Sequence, residues 1–341
     1  MRASLFLGPG EFETETIEDP ALLPDEIRVR NLAAGVCGTD ISIFQGGKGS
    51  ADVTPPIVLG HEYAGEVVEI GSAVTSVKVG DKVAIDPNIY CQKCYYCRSG
   101  KKQHCENLTA IGVNRHGGFA EYSVVPEKQA FRLADHVDPE VGAMAEPLAC
   151  CIHGVDLAQI ESGSSVCVIG GGAIGQLMVQ LAKLAGAATI ILSEPVALRR
   201  EIGLANGANF AINPFEEEPG QAVRRIVSRG ADVVIECVGH PAATRQAFEV
   251  AGKGANIVLF SVPKPGVTFP LDLFSVFSKE LKIAGSFINP DTQQRAVSLI
   301  NENRLNISPL ITHRYGLDGV QDAVLKQMED DSIKVIVKPW S

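Results

Sequence analysis

Three groups of residues have the types and spacing to do chemistry. The most conspicuous is CQKCYYCRSGKKQHC, residues 91–105, which sets Cys91, Cys94, Cys97 and Cys105 at the spacing C-x2-C-x2-C-x7-C. Four thiolates delivered by one compact loop can close a tetrahedron around Zn²⁺, and a closed tetrahedron has no position left for a substrate. Such a site is expected to be structural. Its binding energy, about 10–16 kcal/mol in small peptides, would order a lobe that has little core of its own. A redox C-x-x-C pair would leave two thiols unexplained, and the C-x2-C-x2-C-x3-C-P run of iron–sulfur proteins is absent. His104 reads as a surface residue beside the cluster.

The second group is Gly170, Gly172 and Gly175, which form G-x-G-x-x-G after the apolar run SSVCVIG and at the opening of a helical pattern. Gly170 permits a tight turn, Gly172 lets the backbone approach a pyrophosphate, and Gly175 lets helix and strand pack closely. The first turn of the helix, with Ala173 and Ile174, supplies free N–H groups and positive dipole to phosphates. Glu194 follows at the end of the next strand. Its carboxylate can accept from both ribose hydroxyls and would repel a 2′-phosphate, which favours NAD over NADP. Arg199 and Arg200 work the other way, since either could turn towards such a phosphate.

The third group is scattered. It comprises Cys37, Thr39 and Asp40 in GVCGTDIS, His61 and Glu62 in LGHEYAGEV, and Glu146 in MAEPLACCIHG. Cysteine, histidine and carboxylate make a zinc set in which three protein ligands would leave a position for substrate oxygen. Their spacing alone is only suggestive.

The elements that must position these residues fall into two textures. Up to about residue 150, short strands such as EIRVRNLAAGVC, YAGEVVEIG, DKVAIDP and AEYSVVP are broken by Gly and Pro, as in an antiparallel, barrel-like domain. From there strands alternate with helices: SSVCVIG, a helix over 173–185, ATIILS, PVALRREIGLANG, ADVVIE, PAATRQAFEVAG, ANIVLF and LKIAGS. That alternation predicts parallel βαβ units. In the first helix Ile174, Leu177, Met178, Leu181 and Leu184 share one face. A helix, TQQRAVSLINEN, and a last strand, IKVIVKP, close the chain. The expected organisation is a doubly wound domain, residues 153–288, inserted into a domain formed by 1–152 and 289–341.

Composition narrows the function. The 341 residues are 45% hydrophobic and 21% charged, with a net charge of −10, so the basic footprint that nucleic acid demands is missing. No apolar run reaches membrane-spanning length and the N-terminus lacks a signal peptide, so a cytoplasmic protein without membrane partners is expected. Nine cysteines in a reducing compartment point away from lasting disulfides. Cys167 and Cys237, in apolar runs, are expected to be buried packing residues.

Taken in order, GVCGTD, GHEYAGEV, the four-cysteine lobe, AEPLA and VCVIGGGAIG resemble the zinc-dependent medium-chain alcohol dehydrogenases along nearly the whole chain. AEPLA is similar to the polyol (sorbitol or iditol) dehydrogenase branch. The resemblance implies a GroES-like, mainly antiparallel β catalytic domain plus a Rossmann domain, with the active site in the cleft between them. It further implies one catalytic and one structural zinc, NAD, a small alcohol or polyol substrate, and a homodimer or homotetramer. Carried over position by position, Cys37 and His61 would ligate the catalytic zinc. Glu62 and Glu146 would be the carboxylates of the site, each bound directly, by turns or through water, unless Glu62 instead orients His61 or pairs with a nearby base. Thr39 matches the hydroxyl that takes the alcohol proton into a relay.

Two departures matter. Ser42 stands where many relatives have the histidine at the outer end of the relay. Ile288 and Asn289 follow GSF where sorbitol dehydrogenases carry Arg-Tyr, which removes a guanidinium that would help hold a polyol chain. Oxidation of threonine, 2,3-butanediol or a sugar-alcohol phosphate therefore stands beside polyol oxidation, and a non-catalytic NAD-sensing zinc protein is the reading from another class. The stretch LDLFSVFSKELKIAG is expected to have edge-strand character suited to pairing across an interface.

Overall fold

A computed structural model describes residues 1–264 and 266–341. The chain divides into two compact units, one formed by residues 1–149 and 288–341, the other by residues 150–287.

The first unit is built on a seven-stranded sheet. Its long strands Glu26–Gly35 and Glu62–Ile70 pair antiparallel, flanked by Lys82–Ile85, Ala130–Arg132 and Tyr122–Pro126. The last strand, Lys334–Val337, pairs antiparallel with the end of Glu26–Gly35 and parallel with Ile311–Tyr315. This union of the two chain ends in one sheet makes the unit a single body. An N-terminal hairpin, Arg2–Gly8 with Glu11–Thr16, and Ile57–Val58 form a small second sheet that the sequence patterns did not mark. Between the sheets lies a continuous core that includes Ile27, Val29, Leu59, Tyr63, Val67, Phe119 and Val335.

The second unit is a six-stranded, wholly parallel sheet. Its order runs Phe210–Ile212, Thr189–Ser193, Ser165–Ile169, Ala231–Glu236, Ala251–Leu259, Lys282–Gly285. The two halves grow outward from Ser165–Ile169 and Ala231–Glu236, the doubly wound arrangement that binds dinucleotides where strand order reverses. The strands are apolar on both faces, as expected of a sheet covered by helices on both sides.

Two local expectations need correction. The helix Ala173–Leu184 buries Leu177, Met178 and Leu181, but Leu184 is exposed, and the polar Gln176 and Gln180 are buried in its place. Gln176 earns its burial by donating to the Gly171 and Arg199 carbonyls and accepting from Asn206. LDLFSVFSK is not a strand but the helix Leu273–Lys279. Asp272 caps it by accepting from the Phe274 N–H, and Glu280 ends it in a left-handed conformation, φ 52°. Only Lys282–Gly285 of that stretch is an edge strand.

Asn289, second residue of the return segment of the first unit, is fully buried and joins a polar cluster. Its amide donates to Asp86 Oδ1 and Gln293 Oε1, its carbonyl accepts from Asn88, and the Asn88 N–H also donates to Asp86 Oδ1. Burial lifts the Asp86 carboxyl to about 6, against the hydrogen bonds of Asn88 and Asn289 that pull it down. Because the folded protein holds this proton more tightly than the unfolded chain, the linked stability is present below about pH 4 and is lost as pH rises through about 6. Asp86→Asn keeps both acceptor contacts and removes the buried charge. It should stabilise the protein at pH 7–8 by up to about 3 kcal/mol. In urea unfolding followed from pH 8 to pH 4, the gain over wild type should shrink to nothing; a gain independent of pH would contradict this account.

Candidate metal and dinucleotide sites

The metal-side cluster is assembled at the end of the long strands. Cys37 follows Glu26–Gly35 and is the N-cap of the helix Gly38–Phe44, while His61 immediately precedes Glu62–Ile70. Strand pairing sets Gly35 opposite Glu62, which brings the two segments into register. The ligand atoms of Cys37, His61 and Glu62 all lie within 4.8 Å of one another. Gly112 and Gly117 close over Gly60 and His61 so tightly that a Cβ at either position would overlap the Gly60 carbonyl.

Two residues without a role assigned from sequence complete the cluster. Asp40 is fully buried. Its Oδ2 accepts from the Cys37 N–H at 2.9 Å and its Oδ1 stands 3.6 Å from His61 Nδ1, which leaves Nε2 as the ring atom to ligate. Lys334, on the last strand, is also buried. Its Nζ pairs with Glu62 Oε2 and donates to the Val36 carbonyl at 2.9 Å. A lysine in the apolar run IKVIVK was the available signal, since a buried ammonium requires a partner. Glu62 therefore faces a base, and it is Asp40 that faces His61. Glu146 is buried on the first turn of the helix Ala145–Ala158, outside the 4.8 Å set, yet close enough for its charge to act on Lys334.

The charges are mutually dependent. Burial, then the Glu62 charge, pushes the Cys37 thiol up, against His61. For His61 burial opposes protonation, but Asp40 and Cys37 outweigh it and hold the imidazole well above its usual range. Burial likewise opposes charge on Lys334, and Glu62 followed by Cys37 overcomes it. His61 Nδ1 and Asp40 Oδ1 remain buried without hydrogen-bond partners. A thiol, an imidazole and a carboxylate converging beside unsatisfied polar atoms are a donor set that fits Zn²⁺.

Thr39 sits in the first turn of Gly38–Phe44, and its methyl would be 3.4 Å from a Cβ on Gly49. Ser42 Oγ donates to the Lys48 carbonyl at 3.2 Å, so its hydroxyl proton is committed to the loop 46–49.

The four cysteines of the lobe also converge, with sulfur atoms within 4.8 Å of one another. They are free thiols; Cys91 and Cys97 Sγ stand 3.9 Å apart, far beyond a disulfide bond. Backbone N–H groups of Cys91, Cys94 and Cys97 point at sulfurs, at 3.3–3.5 Å. The N–H groups of Lys93 and Cys94 pull the Cys91 thiol down to about 6. Burial pushes the Cys97 thiol the other way, up to about 12, so the fit to a closed tetrahedral zinc rests on the convergence of the four sulfurs. His104 is exposed and packs edge-on against Tyr96, outside the sulfur set.

In the second unit, Gly170 (φ 95°) turns the chain out of Ser165–Ile169, and Gly172 is the N-cap of Ala173–Leu184. A methyl on Gly175 would overlap the Gly170 carbonyl. The first-turn N–H groups, Ala173 and Ile174 among them, have no acceptor within the helix and can serve an anion. Glu194 is buried. Its Oε2 accepts from the Gly171 N–H at 2.5 Å and its Oε1 from the Val196 N–H at 2.8 Å. Arg200 donates to the Glu194 and Pro195 carbonyls, and the Arg199 carbonyl accepts from Gln176. Cys167 is fully buried as expected, whereas Cys237 is only partly so.

Residues 23–135 match the family described as alcohol dehydrogenase GroES-like domain, and residues 173–302 match zinc-binding dehydrogenase. The chain belongs to the zinc-dependent medium-chain alcohol dehydrogenase family. An L-threonine 3-dehydrogenase of Pyrococcus horikoshii is 36% identical over 91% of this chain and 90% of its own length. A sorbitol dehydrogenase of Bacillus subtilis is 30% identical over 99% and 97%. A zinc-binding dehydrogenase of Sinorhizobium meliloti, solved with NADP, superposes with a TM-score of 0.94 at 40% identity, covering 99% of both chains. Among the described residues, no helix of this dehydrogenase is long and apolar enough to cross a membrane.

The Asp40 contact yields a direct test. Asp40→Ala removes the group that faces His61 Nδ1, and outer-shell partners of this kind are worth about 10–100-fold in metal affinity. Competition with a chromophoric chelator should show one of two zinc ions released at least tenfold more readily, with the cysteine-bound ion unchanged. Equal retention of both ions would remove Asp40 from the site.

Proposed function

We propose that this protein oxidises a secondary hydroxyl of a small polar molecule with NAD, a polyol or sugar alcohol first. The convergence of Cys37, His61 and Glu62 beside Thr39 carries this reading. Cys37 and His61 would hold the catalytic zinc, with Glu62 or Glu146 as a third ligand, while Cys91, Cys94, Cys97 and Cys105 would hold the structural one. When bound, zinc would supply Lewis acidity that lowers the pKa of a substrate hydroxyl, and NAD would supply the hydride acceptor. Asp40 would fix the ring of His61. Thr39 Oγ1 would take the alcohol proton. Since Ser42 donates to the Lys48 carbonyl, the proton would leave Thr39 by solvent rather than by a side chain at position 42.

Gly170, Gly172, Ala173, Ile174 and Gly175 would receive the pyrophosphate. Glu194, fixed by two N–H donors, would accept from the ribose hydroxyls and disfavour a 2′-phosphate, and Arg199 would lie alongside. The NADP in the Sinorhizobium meliloti structure makes the ratio of NAD to NADP turnover a necessary measurement. Residues 1–152 with 289–341 would form the catalytic domain and 153–288 the NAD-binding domain, in a cytoplasmic homodimer or homotetramer. Exposed Leu273, Phe274 and Phe277, next to the edge strand Lys282–Gly285, support such an assembly.

L-threonine is the second reading. The threonine dehydrogenase relatives favour it, and so does the absence of the Arg-Tyr pair of sorbitol dehydrogenases, where Ile288 and the buried Asn289 stand here. NAD reduction screened across polyols, diols, L-threonine and sugar-alcohol phosphates separates these. Turnover of one class with two zinc ions per chain is expected; one zinc and no turnover of any alcohol would leave the sensor reading. In the active reaction, Thr39→Val should lower kcat by at least about 100-fold with zinc content unchanged. Undiminished kcat would free Thr39 of its role.

A further inference from the structure

Glu236 ends the strand Ala231–Glu236 and is 2% exposed, yet nothing in the metal-side chemistry uses it. Its Oε1 accepts from the Val238 N–H at 2.6 Å and the Gly239 N–H at 2.8 Å, and its Oε2 accepts from the Ser261 hydroxyl at 2.5 Å. Its own carbonyl accepts from the Phe260 and Ser261 N–H groups at 3.0 and 3.2 Å. One residue thus fastens two loops, 237–240 and 260–262, which leave neighbouring parallel strands. The loops touch: Gly239 has φ 81°, and a Cβ there would lie 3.3 Å from the Ser261 side chain and the Val262 carbonyl.

The position of these loops gives the clamp its meaning. Cys237 N–H donates to the Ile169 carbonyl at 2.9 Å, and a Cβ on Gly170 would stand 2.7 Å from Val238 Cγ2, so the first loop abuts the glycine turn. Strand order reverses between Ser165–Ile169 and Ala231–Glu236, and a dinucleotide straddles that point with one nucleotide on each half. Glu194 stands on the adenosine half. The loops held by Glu236 stand on the other, and they present Val238 (52% exposed) and Val262 (83% exposed) outward.

We propose that Glu236 is a positioning residue for the second nucleotide of the cofactor, fixing in advance the two loops that receive the nicotinamide end; this rests on the dinucleotide reading above. A buried acceptor that satisfies three donors removes the ordering cost those loops would otherwise impose on binding. Glu236→Ala strands two N–H groups and a hydroxyl. Glu236→Gln keeps a carbonyl oxygen for both N–H groups and can donate its amide to the Ser261 oxygen, so it should rescue.

The test compares two ligands on the zinc-loaded protein: NADH, by fluorescence titration, and ADP, by calorimetry, as the adenosine half alone. Glu236→Ala should weaken NADH about tenfold or more while ADP stays within about twofold, and Glu236→Gln should bind both nearly as wild type. Should Glu236→Ala fail to fold by circular dichroism, Ser261→Ala carries the test, with NADH weakened about threefold and ADP unchanged. A parallel fall of both ligands in a folded variant, or no change in either, overturns the proposal. Wild-type protein that binds neither ligand defeats the dinucleotide reading itself, before any variant is measured.

Discussion

The buried pairing of Glu62 with Lys334 holds the first unit's chemistry in place. Both side chains are almost wholly removed from water, where an unpaired charge of either sign would cost several kcal/mol. Each is tolerable only because the other is present, and they come from opposite ends of the chain. The antiparallel pairing of Lys334–Val337 with Glu26–Gly35 therefore does more than complete a sheet. It delivers the ammonium that lets a carboxylate stand next to Cys37 and His61. Gly35 shares in this: a Cβ there would collide with the Glu62 carboxylate and the Lys334 side chain. The same cluster leaves His61 Nδ1 and Asp40 Oδ1 unsatisfied 3.6 Å apart, a cost that a bound metal would offset by fixing the ring and the tautomer that donates to Asp40.

The second unit uses carboxyl groups differently. Glu194 and Glu236 come at the carboxyl ends of the two strands that flank Ser165–Ile169, and each accepts from the backbone N–H two residues further on. Glu194 also reaches the glycine turn, and Glu236 reaches Ser261. The two halves of the sheet thus repeat one device, in which a buried acid turns mobile strand ends into fixed loops. The purpose is geometric: turns at the mouth of a parallel sheet have no ladder of their own to satisfy their N–H groups, so an acceptor must come from a side chain.

Features carried by contiguous residues were legible in the sequence. The four-cysteine lobe, the glycine turn with Glu194, and the alternation of strands and helices are all local, and the structure places each of them together. The partners of the metal-side residues were not, because Lys334 and Asp40 acquire meaning only from burial and from strand register. The helix Leu273–Lys279 was misread because it buries no side chain. Its apolar residues Leu273, Phe274, Val276 and Phe277 recur at helical spacing, but the run is too short to exclude a strand on pattern alone, and the cap at Asp272 was the further local signal. Leu184 failed for the opposite reason: Gln176 takes a place in the core by finding backbone and side-chain partners there, and Gln180 is buried on the same face.

If the metal-side residues act on one hydroxyl, as proposed, they are indifferent to the rest of the substrate. Relatives named for threonine and for sorbitol both align over nine-tenths or more of this chain, which is the expected consequence of that indifference. Selectivity must come from side chains that meet the distal groups, where a polar partner left unpaired discriminates far more strongly than a difference in apolar bulk. Position 289 illustrates how a polar side chain is withdrawn from such a role. Asn289 is drawn inward by Asp86, Asn88 and Gln293, and a side chain committed to a buried network cannot also meet a ligand. A ligand that relied on a group at this position would lose it here.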